Sequence, residues 1–369
     1  ADFIPFYHEG RFYLFYLHDW RQPEVKGEGT PWHLISTTDF VHFDDHGEVL
    51  PRGTQQDQDL YVFTGSVVAH AGRFHIFYTG HNPHQATQGH PQEAIMHAVS
   101  DDLVHWIKLP AQALYAPSAS YEPHDWRDPF VFWNAEAGEY WMLLAARLTH
   151  GPTRQRGCTA LCTSKDLESW QVREPFWAPG LYSTHECPDL FRWGDWWYLV
   201  FSEFSHSSLT RYRMSRSLRG PWVAPADDAF DGRAFYAAKT ASDGTHRYLF
   251  GWVATRARDS DEGRWEWGGN LVVHELWQRE DGTLGVQPPQ PVLSAFPLTN
   301  RATLRVCLGT LKSDGPQYTL VAPGALHGCW PGYAWPARTT AAFAWATGGA
   351  LPDCCLIRAT ITFNEGTRA

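Results

Sequence analysis

A glycine turn followed at once by an aromatic strand recurs five times in this 369-residue chain. The copies are HEGRFYLFYL around Gly10, HAGRFHIFYTG around Gly72, EAGEYWMLLAA around Gly138, RWGDWWYLVFS around Gly194 and SDGTHRYLFGW around Gly244. Successive glycines lie 62, 66, 56 and 50 residues apart. A second pattern interleaves with the first: a serine, a polar turn, then an aromatic. It ends at Phe43 in STTDFVHF, at Trp106 in SDDLVHW, at Trp170 in SKDLESW and at Trp222 in SRSLRGPW. A lone four-stranded sheet cannot bury both of its faces, but one stacked radially against copies of itself can. The repeat therefore predicts an all-β chain with a five-bladed β-propeller over residues 1–295. An irregular β-sandwich with coincidental turns is the plainer alternative, and two patterns in constant order argue against it.

The stretch VQPPQPVLSAFPLTN (Val286–Asn300) is proline-rich and reads as a linker. Beyond it, residues 301–369 alternate weakly, as in ATLRVCLGTL and LIRATITF, and are expected to form a small C-terminal β-sandwich. The ending NEGTRA shows no final strand, which reads as a truncated domain, and no initiator methionine precedes Ala1. The compartment is left open.

Composition narrows the partners. Aromatics make up 15% of the chain and include 19 tryptophans, more than core packing easily absorbs. Rings with a polar edge suit half-apolar, half-wet surfaces such as sugars present. The net charge is −10 and no Lys/Arg cluster stands out, which excludes a nucleic-acid footprint. No stretch reaches the length of a membrane-spanning helix. Seven cysteines, an odd number, argue for reduced thiols rather than a disulfide framework. His81, His84 and His90 in HNPHQATQGHPQ read as a mobile, solvated or substrate-rim loop without fixed partners, not as a metal site. The expected partner is a small neutral carbohydrate, with no metal and no cofactor; the oligomeric state is not legible.

In a propeller the innermost strand of each blade lines the central channel. Three blades offer an acid where that strand should begin: Asp2 in ADFIPFYHEG, Asp128 beside Arg127 in HDWRDPFVFW, and Glu186 in HECPDLFRWG. Blade two offers the neutral Phe63, Thr64 and Ser66 in YVFTGSVV. Each acid alone reads equally well as a turn residue or a surface pair. A matching phase in the repeat makes them a set. Convergent carboxylates without a His or Lys base suit glycoside hydrolysis, in which one carboxylate attacks or activates water and the other protonates the leaving oxygen. Like charges are expected to raise one of them, with Arg127 holding Asp128 ionised.

WRDPFVFW and HECPDLF, in this order, resemble the Arg-Asp-Pro and Glu-Cys motifs of glycoside hydrolase family 32, the invertase, inulinase and levanase family. FTGSVV, SDDLVHW, FDGRAFYAAKT and RYLFGWV are similar to further segments of that family, so the resemblance runs from residue 1 to about residue 295. It implies a five-bladed propeller followed by a β-sandwich, and a β-fructofuranosidase that retains anomeric configuration. It also implies Asp2 as nucleophile, Glu186 as general acid/base and Asp128 as stabiliser of the transition state. Arg127 would lie in the same cluster, with Trp32, Phe63 and Ser66 at or next to the walls of the sugar pocket. Leu17, His18 and Asp19 stand where the family often has a glutamine. The opening is also similar to the arabinanase and xylosidase propellers of family 43, which leaves an arabinofuranosidase or xylosidase as one alternative. A carbohydrate-binding propeller that has lost catalysis is another.

Overall fold

The computed structural model describes residues 1–296 except 233, 234 and 261, together with strand segments at 305–308, 310–314, 317–321 and 345–347. The chain divides into two compact units, Ala1–Val292 and Leu293–Ala369.

The first unit is built of five antiparallel sheets in chain order. Blade one comprises β1 (Phe3–His8), β2 (Arg11–Leu17), β3 (Trp32–Thr37) and β4 (Asp44–Leu50). Blade two comprises β5 (Tyr61–His70), β6 (Arg73–His81), β7 (Glu93–Ser100) and β8 (Ile107–Lys108). Blade three comprises β9 (Tyr121–Asn134), β10 (Glu139–Leu148), β11 (Gly157–Ser164) and β12 (Gln171–Val172). Blade four has β13 (Glu186–Trp193), β14 (Trp196–Glu203) and β15 (Leu209–Ser215), with isolated bridges from Met214 to Val223 and from Arg211 to Ala229 in the place of a fourth strand. Blade five comprises β16 (Phe235–Ser242), β17 (Arg247–Arg256), β18 (Trp265–Gln278) and β19 (Leu284–Gln287). The first strands touch in cyclic order, β1 to β5, β9, β13, β16 and back to β1, so the five sheets close into the expected propeller.

Both sequence patterns have a structural cause. The five repeat glycines all adopt positive φ at the turn between the first and second strands of a blade. In blades one and two, the pairs Glu9-Gly10 and Ala71-Gly72 both have positive φ, the requirement of a two-residue type I′ hairpin loop. The serine pattern marks a side-chain-capped turn after the third strand. Thr37 and Asp39, Ser100 and Asp102, and Ser164 and Asp166 accept the following backbone amides in the same way. Each turn plugs a buried residue, Phe40, Leu103 or Leu167, into the core.

Burial follows the period of two along the second strands. In β2, Phe12 and Leu14 pack toward blade five, while Phe15 and Leu17 pack toward blade two. In β10, Tyr140, Met142 and Leu144 face blade two, and Trp141 and Leu143 face blade four. In β14, Leu199 faces blade three, and Tyr198 and Val200 face blade five. Five hydrophobic clusters result, one per blade interface. This explains why strands that look too apolar for one-sided sheets recur throughout: each is covered on both faces.

Two expectations change here. Trp32 has no accessible surface; its indole N–H donates to Phe63 O at 3.2 Å and its ring lies against Phe15 and Tyr78, between blades one and two. It packs the core and does not line a sugar pocket. The proline-rich stretch is not all linker either, since Val286 and Gln287 pair with Leu276 and Glu275 in blade five, and a short helix, α1 (Gln290–Ser294), follows.

In the second unit, β20 (Arg305–Leu308) pairs antiparallel with β23 (Trp345–Thr347), and β21 (Thr310–Asp314) with β22 (Gln317–Val321). The expected sandwich and its truncated end otherwise lie outside the described residues.

Trp32→Ala removes a fully buried ring and is expected to cost about 3–5 kcal/mol of stability. A drop in the denaturation midpoint with KM unchanged is the outcome to check. A raised KM at unchanged stability would return Trp32 to the pocket.

Candidate active site

All five first strands carry the same defect. Phe63 pairs with Thr79 and Gly65 with Tyr78, leaving Thr64 without a partner residue on β6. Arg127 pairs with Ala145 and Phe130 with Leu143, so Asp128-Pro129 face one residue of β10. Glu186 pairs with Ser202 and Asp189 with Val200, so Cys187-Pro188 bulge from β14. Tyr236 pairs with Trp252 and Lys239 with Phe250, so Ala237-Ala238 bulge from β17. In blade one, Ala1 exchanges both backbone hydrogen bonds with Leu17, and Phe3 pairs with Tyr16, so Asp2 is the extra residue. A one-residue bulge re-aims the side chains around it. Four of the bulged residues have positive φ: Asp2 (38°), Asp128 (58°), Cys187 (50°) and Ala237 (52°). In blade two the bulge is followed by Gly65, where a Cβ would meet Phe77 O at 2.1 Å.

The bulges sort the candidate residues into two sets. Asp2, Thr64, Asp128 and Cys187 occupy the bulge itself. Phe63, Arg127, Glu186 and Tyr236 stand one residue earlier. The three acids therefore do not share a phase, contrary to the sequence expectation: Glu186 precedes Asp2 and Asp128 by one position. The bulge brings all three together nonetheless.

Within the bulge set, Thr64 Oγ1 donates to Asp2 Oδ2 from blade two, and Trp252 Nε1 donates to Asp2 Oδ1 at 2.8 Å from blade five. Asp128 Oδ2 accepts the Cys187 amide at 2.9 Å, with the Cys187 thiol 3.8 Å away. The Asp128 amide donates to Thr79 Oγ1 at 2.8 Å. In the other set, Glu186 Oε1 accepts from Arg127 Nη2 at 3.0 Å and Oε2 from Tyr236 Oη at 2.6 Å. Ser66 is buried, and its Oγ accepts the Val131 amide at 3.0 Å, so it joins blades two and three and does not line the pocket. Phe63 is half-buried, stacked on His81 at 4.9 Å and tilted against Trp267 at 6.2 Å. Asp189, three residues after Glu186, is buried and accepts the Thr240 amide, which ties blade four to blade five.

Arg127 directs its hydrogen bonds away from Asp128, its neighbour in sequence, and toward Glu93, Asp125, Thr184 and Glu186. Burial pushes the Asp128 carboxyl up to about 7, and the Glu186 and Asp2 charges add to the rise against the opposing pull of Arg127 and the Cys187 amide. Burial and the Glu186 charge likewise raise Tyr236 well above the usual phenol value, so it remains a donor to Glu186.

A family model for the glycosyl hydrolases family 32 N-terminal domain matches residues 4–288. The chain belongs to glycosyl hydrolase family 32. Among similar proteins, a sucrose-6-phosphate hydrolase of Vibrio alginolyticus is 26% identical over 72% of this chain and 56% of its own length. A raffinose invertase of Escherichia coli is 28% identical over 78% and 61%, and a levanbiose-producing levanase of Bacillus subtilis is 27% identical over 67% and 45%. The chain thus spans about half to three-fifths of the length of these relatives. The GH32 β-fructofuranosidase of Bombyx mori superposes with TM-score 0.64 at 20% identity, covering 84% of this chain and 66% of that one. An exo-1,5-α-L-arabinanase from a bovine ruminal metagenomic library superposes with TM-score 0.53 at 16% identity, covering 78% and 96%, which shows the shared propeller fold.

In this family-32 chain, sequence reasoning missed Tyr236, Trp252, Thr79 and Glu93. Tyr236 and Trp252 lie inside FDGRAFYAAKT and RYLFGWV, segments whose likeness to the family was visible, but their pairing across β16 and β17 was not. Of the three loop histidines, His81 ends β6 against Phe63, and His84 Nε2 lies 2.8 Å from Glu28 Oε2, so both have fixed partners. No group of three or more metal-ligating side chains occurs among the described residues.

Asp128 gives a pH prediction. The unfolded carboxyl ionises near 3.8 and the folded one near 7. Its contribution to stability is therefore fully present below about pH 4 and is lost as pH rises through about 7. Asp128→Asn keeps an acceptor for the Cys187 amide and carries no charge. It is expected to raise the melting temperature at pH 8 and to have much less effect at pH 4. An equal effect at both pH values would contradict the raised carboxyl.

Proposed function

We propose that this chain cleaves terminal β-fructofuranosyl linkages, as in sucrose, fructo-oligosaccharides or fructans, by a retaining double displacement. The reading is supported by three carboxylates from three blades, two on the bulges of the innermost strands and Glu186 one residue before its own, close enough for the Glu186 and Asp2 charges to act on Asp128, in a chain of family 32. Asp2, oriented through both carboxylate oxygens by Thr64 and Trp252, attacks the anomeric carbon of the fructosyl ring. Glu186 gives its proton to the glycosidic oxygen as that bond breaks, and the aglycone leaves as an alcohol. Glu186, now a carboxylate, takes a proton from water, whose oxygen attacks the same carbon and expels Asp2. Asp128, on the neighbouring bulge and buried, is placed to pair with hydroxyls of the ring, a contact that strengthens as positive charge develops there. Arg127 and Tyr236 fix the Glu186 carboxyl from either side.

A panel of sucrose, 1-kestose, inulin, levan and an aryl α-L-arabinofuranoside, with product chromatography, tests the reading. Fructose release is expected, and Asp2→Asn and Glu186→Gln should each lower kcat by about 10³-fold or more. Tyr236→Phe removes one donor to Glu186 and is expected to cost about tenfold. Arabinose release without fructose would favour the family-43 type of activity. Sugar binding unaffected by both acid substitutions, with no turnover, would mean a binding propeller.

A further inference from the structure

Arg127 sets a physical problem for the mechanism above. A guanidinium at 3.0 Å favours the ionised form of a carboxylate, yet Glu186 has to deliver a proton. The surroundings of Arg127 contain an answer on blade two, which supplies none of the three candidate carboxylates. Glu93 is the first residue of β7 and is 4% exposed. Its Oε2 accepts the Trp126 amide at 2.8 Å and Arg127 Nη1 at 3.3 Å, and its Oε1 faces His81 Nδ1 at 3.5 Å. Arg127 Nη1 also donates to Asp125 Oδ1 at 2.9 Å, and Asp125 lies 3.5 Å from Arg147, which pairs with Glu122. One guanidinium is thus surrounded by Glu93, Glu186, Asp128 and Asp125, whose charges together hold it protonated, and Glu93 is the most deeply buried of its hydrogen-bonded carboxylates.

The charge at Glu93 calls for a reason. A glutamine would accept the Trp126 amide equally well and would avoid burying a carboxylate, which is unfavourable unless its charge is paired. Burial does push the Glu93 carboxyl up, but Arg127, His81 and the Trp126 amide outweigh it and keep the carboxyl below its ordinary value. The bond to Trp126 also fixes the backbone directly before the Arg127-Asp128 bulge. His81, on the other side of Glu93, is the ring stacked on Phe63.

We propose that Glu93 is a positioning residue of the candidate site, anchoring the inner end of Arg127 and offsetting its charge so that Glu186 is held in place and still able to carry a proton. The proposal rests on the reading of Glu186 as acid/base. Asp2, Tyr236 and the Cys187 thiol are the further titratable groups whose charges bear on Glu186 or Asp128, and the hydrogen bonds of Asp2 and Tyr236 go to groups other than Glu93.

Glu93→Gln removes the charge and keeps the acceptor for Trp126. With the fastest fructoside of the panel, kcat is expected to fall about tenfold with KM within about twofold, and the alkaline limb of kcat/KM to move about one unit toward acid. The shift is acid-ward because Arg127 would then act on Glu186 with less of its charge offset. Glu93→Asp, which restores the charge, should return the limb toward the wild-type position. A merely structural role would lower stability and leave the limb where it is. A wild-type kcat and pH profile in Glu93→Gln would overturn the proposal. Ligand-free crystal structures of Glu93→Gln and Glu93→Ala give a readout independent of turnover: the Arg127–Glu186 contact is expected to lengthen in the alanine variant. An unmoved Arg127 would sink the positioning role. A wild-type protein that cleaves no fructoside would instead end the functional reading, with the crystal structures still deciding the place of Glu93.

Discussion

A strand that is regular from end to end points alternate side chains at alternate faces, so it cannot present neighbouring residues to one cavity. The inserted residue in each innermost strand lifts that restriction. Arg127 and Asp128 are adjacent, yet one reaches Glu186 and the other the Cys187 amide. The same slip recurs at Asp2, Thr64, Cys187 and Ala237, so five strands break alternation at one level of the ring. Left-handed backbone at a non-glycine residue costs roughly 1–2 kcal/mol, least for Asp. The interblade packing has to hold that strain in place, and it is dense: Tyr198, Val200, Leu199, Phe250 and Leu14 along the second strands have essentially no accessible surface.

The cluster is electrostatically dense as well. Asp2 receives two neutral donors, from blades two and five. Glu186 receives one cation and one phenol. Asp128 receives an amide, lies deepest, and has its carboxyl raised by that burial. Three chemically similar groups thus acquire three different environments from the strands beside them, which is how carboxylates can take separate roles at one pH.

The architecture was legible in the sequence because its signals are local. A glycine needing positive φ at Gly10 or Gly72, and a serine or threonine capping the turn at Thr37, Ser100 or Ser164, each act within a few residues, and their spacing counts the blades. The acids were legible from the motifs around Asp128 and Glu186. What stayed hidden depends on contacts between distant segments. Trp32 and Ser66 sit in suggestive motifs, but only packing shows that they face the core and the next blade. Glu93 lies 34 residues from Arg127 in an unremarked run, and nothing local marks a carboxylate as buried against a guanidinium. The partners of Arg127 were hidden for the same reason: adjacency in sequence to Asp128 does not make a hydrogen bond to it.

Among the described residues, the first and last blades share no sheet. The join between them is closed by the cluster of Phe3, Phe12 and Leu14 with Tyr248, Phe250 and Trp252, by the Trp252–Asp2 hydrogen bond, and by Arg21 reaching Glu266 and the Trp267 carbonyl. Asp2 therefore lies on the seam where the two ends of the propeller meet. Any molecule gripping Asp2 together with residues of blade five acts as a clasp across that seam, and the free energy with which it binds is returned as resistance of the whole ring to opening.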